Sequence, residues 1–197
     1  MKKLFVLFTA AGIVCGANSN AFAQVDAGLA AKFLSTAKAA SDSQLGSIAS
    51  DLTGKMQSLG TSAAGALVKD KLNGALTLLT GGKDSAALMS AFDLVKEAKL
   101  TPDQIGLAKQ VGNLASAYVV QKNFATLEGA QGDVTTLVKS LRAGKLTAAV
   151  APLKNIAGNN HLTDGQKTLI KTVADKYAPG WEKAKGAVDA IKKLPGF

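Results

Sequence analysis

"LTPDQIGLAKQVGNLASAYVV", residues 100–120, decides the fold class. Thr101 can cap a helix by accepting from the amide three residues on. Gln104 stands where its side chain reaches back to the Thr101 amide, the reciprocal arrangement of a capping box. Pro102 falls at the first helical position, where its missing N–H costs nothing. Ile105, Ala108, Val111, Ala115, Tyr118 and Val119 then follow mostly at steps of three and four, the period of an amphipathic helix. Working outward, Leu45, Ile48, Leu52, Met56 and Leu59 form one stripe, and Val68, Leu72, Leu76 and Leu79 another. Shorter stripes run through Leu88, Phe92 and Val95, with "KEAK" closing that helix, and through Val134, Leu137, Val138 and Leu141. Leu169, Ile170, Val173 and Tyr177 mark another helix, and Trp181, Ala184, Val188 and Ile191 the last. "TGGKD", "RAG", "APG" and "LPGF" supply the stops. No window alternates with period two, and no hairpin dipeptide sits between β-branched runs. The pattern predicts an all-α chain of eight or nine short amphipathic helices, in a single bundle or a short helical-repeat array.

The opening phrase returns. Leu100, Thr101 and Gln104 of "LTPDQ" match Leu162, Thr163 and Gln166 of "LTDGQ", 62 residues later. At the same offset Gly82, Lys83, Ala86 and Ala87 match Gly144, Lys145, Ala148 and Ala149. Leu107, Lys109 and Val111 match Leu169, Lys171 and Val173. Ten identities at one constant offset, through turns and helices alike, predict an internal duplication of a three-helix unit, about 72–122 and 134–184. An N-terminal helical pair (26–59) and a C-terminal helix (181–193) would pack around the two copies.

The doubled Leu-Thr-x-x-Gln phrase, in a small helical chain with an export signal, resembles the LTxxQ-motif family of periplasmic proteins. That resemblance implies a helical, cradle-like dimer that holds unfolding clients without ATP or senses envelope stress. The residues that carry it are Thr101, Gln104, Thr163 and Gln166.

The export signal is read from residues 1–23. Lys2 and Lys3 precede an apolar run, Leu4 to Val14, too short to span a bilayer comfortably, and "AFA" ends at Ala23 with small residues at −3 and −1. Cleavage there gives a mature chain of 24–197, periplasmic or secreted, folded as one all-α domain. Cys15 leaves with the signal, and Ile13 and Val14 stand before it where a lipidation site wants small residues. The mature chain then has no thiol, which excludes disulfides, thiol nucleophiles and thiolate metal sites. Aromatic residues make up 5% of the chain, too few for the stacking platforms of sugar or single-strand binding.

Charge is uneven. Residues 24–133 hold ten basic and ten acidic residues, and 134–197 hold eleven basic and four acidic. The acids of the first copy, Asp84, Asp93, Glu97 and Asp103, correspond to Leu146, Asn155, Asn159 and Gly165. Lys139, Arg142, Lys145, Lys154, Lys167 and Lys171 therefore form the candidate anion-attracting surface. With one arginine in the chain, bidentate base or phosphate reading is not expected, and sequence-specific nucleic acid is excluded as a partner.

Catalytic signatures are missing. His161 is the one histidine and sits in a loop, no Gly-x-Ser-x-Gly elbow occurs, and "TGGKDS" lacks the Ser or Thr and the upstream glycine of a phosphate loop. No catalytic, metal or cofactor residue is assigned. The expected function is a non-enzymatic binding protein, in its most concrete form a chaperone-like or envelope-stress factor for unfolded or anionic clients. The alternative is a structural or surface-associated protein that touches anionic lipid or cell-wall polymer through its cationic C-terminal third. A hydrolase using a carboxylate pair, which leaves no local signature, is the third reading.

Overall fold

A computed structural model of the chain describes residues 24–62, 66–97 and 99–177, with Lys193. The signal segment 1–23, the C-terminal helix expected over 181–193, and the end of the second copy lie outside the described residues. Within them the chain is all-α and has no strand. α1 (Ala27–Ala39) and α2 (Ser43–Ser62) form the N-terminal pair. α3 (Ala66–Thr80), α4 (Asp84–Asp93) and α5 (Pro102–Phe124) follow, then α6 (Gln131–Arg142), α7 (Leu146–Ala157) and α8 (Asp164–Tyr177).

Several helix starts have a side-chain cap. The Asp26 carboxylate accepts from the Leu29 amide at 2.8 Å, and Asp42 accepts from Gln44 and Leu45 at 2.9 and 3.1 Å, each filling an orphan donor at a helix N-terminus. α5 has the complete capping box and Pro102 in its first turn. α4 departs from expectation: its α-helical hydrogen bonding ends at Asp93, and "LVK" tightens into a 3₁₀ turn, Leu94–Lys96, that buries Leu94 completely. α7 carries Pro152 in its interior, which removes one backbone donor from that helix.

The turn geometry recurs at the 62-residue offset. After α3 the Lys83 amide donates to Leu78 O at 2.9 Å and Gly82 to Leu79 O at 3.3 Å. After α6 Lys145 donates to Ser140 O at 2.9 Å and Gly144 to Leu141 O at 3.0 Å. Both are Schellman closures, with the two glycines at φ 72° and 64°, where a Cβ is unfavourable.

α5 lies at the centre. It packs on α2 along one side and α6 along another, with α4 and α8 also against it. Its stretch from Leu114 to Gln121 is buried without a break, so this helix is enclosed all round rather than amphipathic through its length. The buried apolar side chains of all eight helices join one core, from Phe33 on α1 to Tyr177 on α8. Fully buried side chains such as Phe33, Leu52 and Phe124 each contribute roughly 2–3 kcal/mol by leaving water.

Candidate functional site

The two Leu-Thr-x-x-Gln phrases do the same work twice. Gln104 Oε1 accepts from the Thr101 amide at 2.9 Å and Gln166 Oε1 from the Thr163 amide at 3.0 Å; the threonine hydroxyls accept the reciprocal bonds at 3.4 and 3.2 Å. Each glutamine also reaches beyond its own helix. Gln104 Nε2 donates to the Ser62 carbonyl at the end of α2. Gln166 Nε2 donates at 2.7 Å to the Asn123 carbonyl near the end of α5. The last carbonyls of a helix have no partner of their own. One side chain therefore caps the start of a helix and ties it to the end of an earlier one. That second role needs the amide of Gln, not the carboxylate of Glu, and local capping logic gives no sign of it.

The first copy uses its acids internally. Asp84, buried at the start of α4, accepts from Lys122 Nζ at 3.0 and 3.1 Å and from Asn123 Nδ2 at 2.8 Å. Glu97 pairs with Lys71 of α3. Asp93 accepts from Lys96 at 3.0 Å, and Lys176 of α8 stands 4.0 Å from the same oxygen. In the second segment Asp133 takes the Lys71 position, and its carboxylate accepts from Asn155 Nδ2 of α7 at 3.0 Å, a bond to a neutral amide in place of an ion pair.

The six cations expected on the second copy are spread over α6, α7 and α8. Lys139 and Arg142 share a face of α6, and Lys167 and Lys171 a face of α8, by their spacing. Lys145 and Lys154 stand nine residues apart at the two ends of α7, half a turn out of phase. Arg142 is directed to α2, where it pairs with Asp51 and lies 3.3 Å from Ser47 Oγ. Lys167 lies 3.6 Å from Asp164. Lys139, Lys145, Lys154 and Lys171 are exposed and have no ion pair among the described residues. His161 is exposed as well, its backbone amide donating to Asn159 Oδ1 at 2.8 Å.

Two grooves meet across α5 at Asn113 and Gly144. The first, about 600 Å³, has polar and apolar walls in near-equal measure and runs between α2 and the α6–α7 turn past Asp51, Lys55, Gln110 and Arg142. The second, about 540 Å³, has apolar walls of Phe92, Val95, Leu146 and Tyr177, with Lys96, Lys109 and Lys176 among its lining. Close helix approach shapes it: a Cβ on Gly112 would stand 3.1 Å from the Phe92 ring, so glycine lets α5 press that ring into place. Tyr177 meets Phe92 edge-on, centroids 5.1 Å apart, and its hydroxyl lies 3.0 Å from Asn113 Oδ1 and 3.1 Å from Ser116 Oγ. Burial pushes the Tyr177 phenol well above the ordinary tyrosine range, opposed in part by the Ser116 hydrogen bond. Burial, with the Asp84 charge second, raises Tyr118 too.

Sequence reasoning found Arg142 and the Gly144 turn but not this second groove. Its lining comes from α4 and the 3₁₀ turn after it, α5, the α6–α7 turn, the start of α7, and α8, and its lysines sit at unremarkable positions on them. Among the described residues no group of three or more His, Cys, Asp or Glu could hold a metal ion, and no helix is long and apolar enough to cross a membrane. No family model, characterised protein or solved structure matches the chain.

Proposed function

We propose that the protein is a non-enzymatic binding protein that acts after export and meets an extended polyanion, such as a cell-wall polymer, through its second half. One observation carries this reading. Residues 134–177 hold seven basic residues against two acidic ones, and Lys139, Lys145, Lys154 and Lys171 are exposed without an ion pair among the described residues. Exposed lysines attract a flexible polyanion without demanding the fixed geometry an arginine fork would impose.

The client-holding reading implied by the doubled motif draws less support. Holding an unfolded chain calls for exposed apolar surface, and among the described residues the exposed large apolar side chains are Leu67 on α3 and Met89 on α4. The motif residues themselves are engaged in capping and in tying helix ends.

Titration with polyphosphate of defined length tests the proposal. Four phosphate contacts imply a loss of affinity on the order of 100-fold between 50 and 200 mM salt. Changing Lys139, Lys145, Lys154 and Lys171 together to Gln is expected to abolish binding and leave stability within about 0.5 kcal/mol. Binding that ignores salt, or survives the four changes, would sink the reading. Suppression of client aggregation in the same titrations would restore the chaperone-like alternative.

A further inference from the structure

The geometry points to a ligand site in the second groove, between α4, α5, the α6–α7 turn and α8, for a long-chain carboxylate: one anionic head and one apolar chain. The site uses residues other than the four exposed lysines of the preceding proposal and stands without it.

The first ground is Lys176. Its side chain is 17% exposed, it has no hydrogen bond among the described residues, and its one ion pair there, with Asp93, is 4.0 Å long. Asp93 is already engaged by Lys96 at 3.0 Å through the same oxygen. The side chain is largely covered beside the groove, and so long an ion pair leaves its ammonium donors available to a further anion. The second ground is the charge of the lining. Lys109 also lines the groove, is exposed, and has no ion pair among the described residues, so the lining carries three lysines and no acid. The third is the wall. Phe92, Val95 and Leu146 are only partly buried and leave apolar surface beside the cations, in a volume of about 540 Å³ that lies within the usual range for small-molecule sites. A bare polyanion would leave that apolar wall unused, and a neutral chain would leave Lys176 unsatisfied. The chain's own C-terminal stretch 178–197 is a poor match in charge, with four lysines against two acids. An anion with an apolar chain satisfies both parts.

Calorimetric titration of the purified full chain with dodecanoate, below its micelle threshold, tests this. One saturable site is expected, with no binding of dodecyltrimethylammonium, whose head has the wrong charge, and none of acetate, which lacks the chain. Lys176→Gln should weaken dodecanoate about tenfold or more. Lys109→Gln, at an exposed position, should weaken it several-fold and serves should Lys176→Gln perturb the fold. Leu146→Ser should weaken the long-chain ligand. The fourfold Gln variant at Lys139, Lys145, Lys154 and Lys171 should bind dodecanoate as the parent does, whatever becomes of its polyphosphate binding. Absence of saturable binding, including the case in which another part of the chain already fills the groove, would overturn the inference. So would equal uptake of the cationic analogue, or undiminished binding by both lysine variants.

Discussion

The segments 66–124 and 131–177 share a plan and differ in how they are held. Both close their first helix with a Schellman turn ending in Gly-Lys, and both start their third with a glutamine that also grips the end of a preceding helix. Charge separates them. In the first, Asp84, Asp93 and Glu97 are drawn into ion pairs with lysines of neighbouring elements. In the second, Leu146 stands at the position matching Asp84, and two of the basic residues, Arg142 and Lys176, reach acids outside the segment. Hydrogen bonds that fix the chain's path are alike in the two segments, while side-chain charges, which can differ without moving the backbone, are not. The second segment has fewer acids against the same number of basic residues, three against seven where the first has five against seven.

The largest way to break that comparison is Lys122→Ala. It strands the buried Asp84 carboxylate, and because Lys122 is about a third exposed the loss should be about 2–3 kcal/mol in urea unfolding, below the full cost of a broken interior pair. Adding Asp84→Leu removes the stranded carboxylate, places there the leucine that stands at the matching position of the second segment, and should recover part of that loss. A double variant no better than the single would mean that Asp84 acts chiefly through Asn123 or the helix start. The glutamines come next. Gln104→Met, at a position only 9% exposed, should cost about 1–2 kcal/mol, and Gln166→Met, more open, about 1 kcal/mol. Glu at either site keeps the capping acceptor and removes the tie, so its penalty isolates the tie alone.

Alkaline pH probes the contact between the segments. The folded state holds the Tyr177 proton more tightly than the unfolded chain does, because burial raises its value. Its contribution to stability is therefore complete below the ordinary tyrosine value of 10.0 and is lost as pH rises above it. Tyr118 has the same sign. Tyr177→Phe should flatten the decline above pH 10 when stability is followed by denaturant titration. The smallest contrast is between the two turn glycines. Gly82→Ala and Gly144→Ala should each cost about 1 kcal/mol for the left-handed backbone. Gly144→Ala should cost a few tenths more, because its Cβ would stand 3.4 Å from Asn113 Nδ2, whereas Gly82 faces open space.

Much of the fold was legible because local chemistry wrote it. The Thr101–Gln104 and Thr163–Gln166 boxes, Pro102 and the glycine stops place helix ends by interactions within a few residues. Burial of α5 from Leu114 to Gln121 was not legible, since Ser116 and Gln121 are polar and are covered only once α2, α4, α6 and α8 are set around the helix. The early tightening of α4 at Leu94 depends on core packing in the same way. Lysines are harder still. Nothing local separates Lys176, half-hidden beside Asp93, from Lys171 one turn earlier in open solvent. A groove assembled from α4, α5, α8 and a turn leaves its mark only in three dimensions.

The central claim is that the second segment, and not the first, presents charge for an outside partner. Polyphosphate affinity across a salt series should be measured for two variants side by side. One carries Gln at Lys139, Lys145, Lys154 and Lys171. The other carries Gln at Lys69, Lys83 and Lys99, exposed lysines of the first segment without ion pairs among the described residues. The account predicts that the first variant loses binding and its salt slope, while the second stays within about twofold of the parent. Equal losses in the two variants would contradict it, and would reduce the charge difference between the segments to a matter of solubility.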